Sequence, residues 1–102
     1  MTGVIIVSRH EGTVSFLKKL FPEARVIQHL NDPGEIPEGA MVFGNLPIHI
    51  IEQLLRRGCR FFLVSLEVPR ELRGQDLPED TVAKYIRIYE VADLKLSEFI
   101  IS

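Results

Sequence analysis

The stretch AMVFGNLPIHIIEQLLRRG, residues 40–58, carries the densest set of structural signals in the chain. Ala40–Phe43 is a short apolar run that reads as a strand. Gly44 and Asn45 interrupt it, and Asn45 is placed to cap a following helix. Pro47 fits the first turn of that helix, where its missing N–H leaves no bond unmade. Ile48, Ile51 and Leu55 form an apolar stripe. Arg56 and Arg57 fall in the last turn, where the helix dipole favours cations, and Gly58 fits the left-handed stop position. A strand running straight into a helix is half of a strand–helix–strand unit, and the rest of the chain is read from there.

Downstream, Arg60–Val64 is a strand, residues 68–78 a loop, Asp80–Lys84 a helical turn and Tyr85–Val91 a further strand. Upstream, Val4–Val7 is a β-branched run that reads as a strand buried on both faces. A helix follows over Thr13–Phe21, with Val14, Leu17 and Phe21 at helical spacing, and Pro22 ends it. Arg25–Leu30 is another strand, and residues 31–39 (NDPGEIPEG) form a loop dense in turn residues. Residues 93–102 fit a strand through Leu94 and Leu96, or a helix through Leu94, Glu98 and Ile101. Strands alternating with helices predict an α/β sandwich with a mostly parallel sheet of about five strands.

Composition sets the outer bounds. The chain has 102 residues, 46% hydrophobic and 25% charged, which predicts one globular domain over 1–102 and disfavours disorder and coiled coil. One cysteine forms no internal disulfide, so a reducing cytosol is the expected compartment; the reading as a buried filler suits it. No Cys/His set has zinc spacing, and neither a metal nor a cofactor is expected. No apolar run is long enough to span a membrane, and the opening MTGVIIVSRH lacks the basic flank of a signal peptide. The net charge of −2 disfavours binding to long nucleic acid. Residues 1–73 nevertheless hold 9 Lys/Arg against 8 Asp/Glu, and residues 74–102 hold 3 against 6, so the acidity is concentrated in the last third.

Polar residues collect where the strands end: Ser8-Arg9-His10 after the first, followed by Glu11-Gly12; Gln28-His29-Leu30-Asn31-Asp32 at the end of the second; Gly44-Asn45 after the third; and Ser65-Leu66-Glu67 after the fourth, with Arg70 and Arg73 close behind. Parallel strands would bring these groups to one edge, where open α/β sheets bind ligands. Helix N-termini and an arginine fork suit phosphate, and Gly12 and Gly44 would let a ligand approach the backbone. The dinucleotide and P-loop fingerprints are absent. Other residues have plain structural readings. Arg56, Arg57 and Arg60 complement the dipole or form a solvated face, His49 is packed or on the surface, and His29 is a strand-end surface residue. Arg70 and Arg73 are open between salt bridges and anion contact, and Glu67 between a surface carboxylate and a base.

V-S-R-H-x-G at 7–12, H-L at 29–30, G-N-L-P-I at 44–48, R-G at 57–58 and L-x-x-P-R-E-L-R-G-Q-D-L at 66–77 together resemble the small CRISPR-associated ring nuclease family of type III systems. Asn45 departs from the pattern, which often has Thr there. The resemblance implies a Rossmann-like (CARF-like) sandwich and metal-independent degradation of cyclic oligoadenylate, foremost the four-membered ring, ending an antiviral signal. A metal-free cut uses the ribose 2′-OH as nucleophile and leaves a 2′,3′-cyclic phosphate. Arg9 suits charge stabilisation and His10 acid–base work, since histidine titrates near neutrality. Ser8, Gly12, Gly44, Asn45, Ser65, Arg70 and Arg73 are the candidate ligand-binding residues. A ring with rotational symmetry suits a two-fold homodimer, with Phe99-Ile100-Ile101 packing either in the interface or on its own domain. Two readings compete: a non-catalytic sponge for the same messenger, and a protein-binding accessory subunit. A nuclease for linear RNA is disfavoured by the charge and by the lack of interleaved aromatic and basic residues.

Overall fold

The computed structural model describes residues 3–101. Five strands form one sheet: β1 (Val4–Val7), β2 (Arg25–Ile27), β3 (Met41–Gly44), β4 (Arg60–Leu66) and β5 (Ile86–Val91). Three helices accompany them: α1 (Glu11–Leu20), α2 (Ile48–Arg56) and α3 (Glu79–Tyr85). The strand order is β2-β1-β3-β4-β5, with every pair parallel except β4 and β5. A mostly parallel five-stranded sheet flanked by helices is the predicted class and fits a Rossmann-like sandwich.

Both faces are covered. On one, Ile50, Ile51 and Leu54 of α2 pack over Ile5, Val7, Val42 and Phe61. On the other, Leu17 of α1 and Val82 of α3 pack over Ile6, Phe43 and Val64. Alternate residues of each strand thus serve opposite layers, which explains why β1 and β3 are apolar throughout. Phe43 stacks on Phe62 at 4.5 Å between centroids and meets Phe21 at 4.8 Å, tying β3, β4 and the end of α1 together. The β1–α1–β2 crossover leads toward one sheet edge and β3–α2–β4 toward the other. Their helices lie on opposite faces, as two crossovers of one hand must. The sheet therefore reverses its winding between β1 and β3, which is where such folds bind ligands.

Several boundaries and roles differ from expectation. α1 begins two residues before Thr13, because Glu11 and Gly12 join its first turn, and it ends at Leu20 with Phe21 as C-cap. β2 stops at Ile27, short of Leu30. β3 is shifted to Met41–Gly44 and β4 extends to Leu66. The α2 stripe is Ile50, Ile51 and Leu54, while Ile48 is 55% exposed. Five of its nine residues are large aliphatics, so two stripes were available, and the sheet selects the one facing Phe61. Asn45 is not its cap: Pro47 holds that position, and no side chain hydrogen-bonds the helix start. Gly58 is left-handed, φ +78, as predicted.

The arginines at the far end of the molecule are structural. Arg56 pairs with the buried Glu52, and Arg57 donates to the Ile36 carbonyl at 2.6 Å. Arg60 makes a two-pronged bond to Glu90 at 2.8 and 2.9 Å across the β4–β5 pair, holding the Glu90 carboxyl below its usual range. Cys59 is buried, as read. Residues 92–101 are neither strand nor helix. Leu94 packs on the α2-side core, and the Leu96 N–H donates to Glu52 at 3.2 Å. Phe99, Ile100 and Ile101 do not pack on the domain and are 73–89% exposed. Met1, Thr2 and Ser102, which belong to the leader and tail readings, lie outside the described residues.

Candidate functional site

A crevice of about 770 Å³ opens at the carboxyl edge of the parallel strands, within the roughly 300–1,000 Å³ usual for small-ligand sites. Its floor is apolar, built from Leu17, Phe43, Ile50 and Val64 of both core layers. Ser8, Arg9 and His10 enter it from the end of β1. Gln28, His29 and Asn31 enter from beyond β2, Gly44, Asn45 and His49 from the β3–α2 junction, and Ser65 from β4. The four strand ends therefore meet at one edge, as their parallel pairing requires.

Local chemistry fixes the β1–α1 turn. The Ser8 hydroxyl oxygen accepts from the His10 N–H at 3.1 Å, leaving the hydroxyl proton available to a ligand. His10 is the N-cap of α1, and no side chain caps that helix either. Two uncapped helix starts, flanked by His10 and Pro47, thus border the crevice with their free N–H groups and positive dipole ends.

The charge distribution is one-sided. The chain carries 14 carboxylates, and none lines this crevice among the described residues. All three histidines of the chain do, together with Arg9. No carboxylate lies within ion-pair distance of Arg9 among the described residues. A chain of net negative charge lines this crevice with hydrogen-bond donors and, among the described residues, with no negative side chain. Such a lining favours an anion with several oxygens.

The remaining candidates divide. Asn45 and Ser65 line the crevice as expected. Gly44 lines it too, but its missing side chain is needed elsewhere: a Cβ there would stand 2.6 Å from the Val7 carbonyl oxygen on the neighbouring strand. Gly12 lies outside the crevice, and a Cβ on it would collide with the Leu77 carbonyl oxygen. Both glycines let the chain pack closely on itself. Arg70 lines neither cavity, and Arg73 lines a second, smaller one of about 310 Å³. Neither arginine has an ion-pair partner among the described residues. Glu67 is outside the crevice; it accepts from the Tyr89 hydroxyl at 2.6 Å, a bond that raises the phenol above its ordinary pKa.

His49 is exposed, in keeping with its reading as a surface residue, and it also lines the crevice. It looked like one polar position among isoleucines, yet it belongs to the first turn of α2, which opens on the crevice. A histidine within a turn of a helix start that follows a parallel strand was the signal available. Among the described residues no group of three His, Cys, Asp or Glu side chains is arranged to hold a metal ion. No helix is long and apolar enough to cross a membrane among them.

Residues 5–92 match a family model described as "Putative CRISPR-associated protein (Cas_VVA1548)". Nothing matches among curated proteins or solved structures.

Proposed function

The chain belongs to the CRISPR-associated family that its residues 5–92 match, and on that premise we propose that it is a ring nuclease that opens cyclic oligoadenylate, foremost the four-membered ring. The observation that carries this reading is the crevice at the winding reversal, lined by no carboxylate among the described residues and bordered by Arg9, His10, His29 and His49. It suits a ligand whose repeating charged unit is a phosphodiester. The motif resemblance through 7–12, 44–48 and 66–77 supplies the ring and the signalling role.

The chemistry needs one nucleophile, and the substrate carries it. The ribose 2′-OH attacks the adjacent phosphorus, its proton passing to a base. The O2′–P bond forms as the P–O5′ bond breaks, and the leaving 5′-oxygen takes a proton. Products are a 2′,3′-cyclic phosphate and a 5′-hydroxyl. His10, at the start of α1, is assigned to proton transfer, typically worth about 10²–10⁴-fold. Arg9 is assigned to the phosphoryl oxygens, where charge builds. Ser8, Asn45 and Ser65 hold phosphate or ribose, and holding the 2′-OH in line is itself worth several kcal/mol.

Purified protein incubated with excess cyclic tetra-adenylate in EDTA is expected to give multiple turnovers of linear products ending in 2′,3′-cyclic phosphate, read by chromatography and mass. Ligand bound but recovered intact would mark a sponge. Ligand neither bound nor cut would leave a protein-binding subunit as the leading reading.

We further propose that the working unit is a two-fold homodimer, which matches the symmetry of a four-membered ring with two copies of one crevice. The exposed Phe99, Ile100 and Ile101 offer apolar surface for such a contact. Sedimentation at micromolar concentration is expected to give twice the chain mass, and a Phe99→Ser, Ile101→Ser double variant to shift it toward the monomer. A wild type that sediments as a monomer would refute the dimer.

A further inference from the structure

A second cavity of about 310 Å³ adjoins the crevice, and the two share His10, Thr13 and Leu66. We propose that this cavity is a nucleobase subsite and that Asp76 on its rim selects a purine with an amine at C6. The proposal rests on the ring-nuclease reading, since a phosphodiester held in the crevice is what would deliver a base to it.

The lining has the two-part character a heterocycle needs. Its walls are aliphatic, from Leu66, Val68, Leu72, Leu77 and Val82, with Val82 buried to 1% exposure. Such walls take the faces of a planar ring. Its polar rim is rich in acceptors. The Asp76 carboxylate only accepts. The Gln75 amide nitrogen donates to the Glu71 carbonyl at 2.8 Å, which leaves that side chain its oxygen and one N–H. Arg73 completes the rim as a cation without an ion-pair partner among the described residues, placed to meet a phosphate oxygen.

The position is also suitable. Asp76 Oδ1 lies 4.0 Å from His10 Nδ1, too far for a hydrogen bond but adjacent to the imidazole that borders both cavities. A base in the second cavity would therefore belong to a nucleotide whose phosphate lies near His10. Adenine offers an N6 amine along the edge where guanine and hypoxanthine carry a carbonyl oxygen. A carboxylate accepts from the amine and repels the carbonyl. The wall that carries Asp76 is fixed by the chain itself, because Leu77 rests directly against Gly12 of α1.

Two measurements test this. In the first, cleavage of cyclic tetra-adenylate is compared with that of the hypoxanthine ring made from it by deamination. Wild type is expected to favour the adenine ring roughly tenfold or more in kcat/KM, and Asp76→Asn to bring the ratio close to one. Equal loss on both rings would show that Asp76 positions His10 or supports the fold, and would overturn the selection role, as would a wild-type ratio near one. The second measurement needs no cleavage. Methyl signals of Val68, Leu72 and Val82 are followed by NMR while AMP or IMP is added. AMP is expected to shift them at lower concentration than IMP. If rings are neither bound nor cut but AMP shifts these methyls, the ring-nuclease reading fails and the base subsite stands; if AMP leaves them unmoved, the subsite itself is refuted.

Discussion

Replacing Arg9 by alanine is expected to slow cleavage of cyclic tetra-adenylate by about 10²–10³-fold while leaving the protein folded. Arg9 is separated from the end of β1 by one residue, is exposed, and has no carboxylate partner among the described residues. Among the described residues its side chain has no hydrogen bond or ion pair to lose, and surface changes of that kind move stability by only about ±0.5 kcal/mol. The loss should fall mainly in kcat, because negative charge on the phosphoryl oxygens is greatest in the transition state. Arg9→Lys keeps the charge without the two-pronged geometry and should recover only part of the rate. A variant that cuts at the wild-type rate would remove Arg9 from the mechanism. A variant whose KM alone rises would recast it as a binding residue.

Gly44→Ala is expected to lower stability by about 1–3 kcal/mol or slightly more, which for a chain of this length is a fall of about 4–20 °C in Tm. The new Cβ would stand 2.6 Å from the Val7 carbonyl oxygen and 3.2 Å from the Val7 Cβ. Val7 and Gly44 are register partners in the middle of the sheet, so the contact is backbone against backbone and no flexible side chain can yield. Only separation of β1 from β3 relieves it, and that separation also pulls Ser8 and Arg9 away from Asn45. Binding of cyclic tetra-adenylate should therefore weaken at temperatures where the variant is still folded. Gly3→Ala is the control, since a Cβ there meets nothing within 4 Å. A Gly44→Ala protein that melts with wild type would show that the two strands are not as closely apposed as described.

How far the sequence led depended on whether the information was local. β1 is legible to the residue, because four β-branched apolar residues between polar flanks allow little else. The end of α2 is legible because Gly58 is needed for a left-handed turn. The phase of α2 is not, because Ile48, Ile50, Ile51, Leu54 and Leu55 supply two stripes and only the sheet chooses between them. The edge site was legible in outline: strand-end polar residues converge once the strands are known to be parallel. Strand order is a long-range property, and so were its consequences. His49 comes to the crevice because α2 starts beside β1, and Gly12 is spoken for by Leu77, 65 positions along the chain. The direction of β5 was equally hidden, since the same alternating pattern serves a parallel or an antiparallel edge strand.

The placement of the crevice between β1 and β3 has a consequence for how the protein acquires it. Val4 pairs with Met41, and Met41 in turn with Arg60, so three distant stretches must find one another before the central sheet exists. Closing such long loops costs entropy before any contact repays it, which puts the chain among the slower-folding domains of its size. Arg9 and Asn45 approach each other only after that step. A newly made chain with its helices formed but β1 and β3 unpaired would hold every residue of the site and none of its geometry.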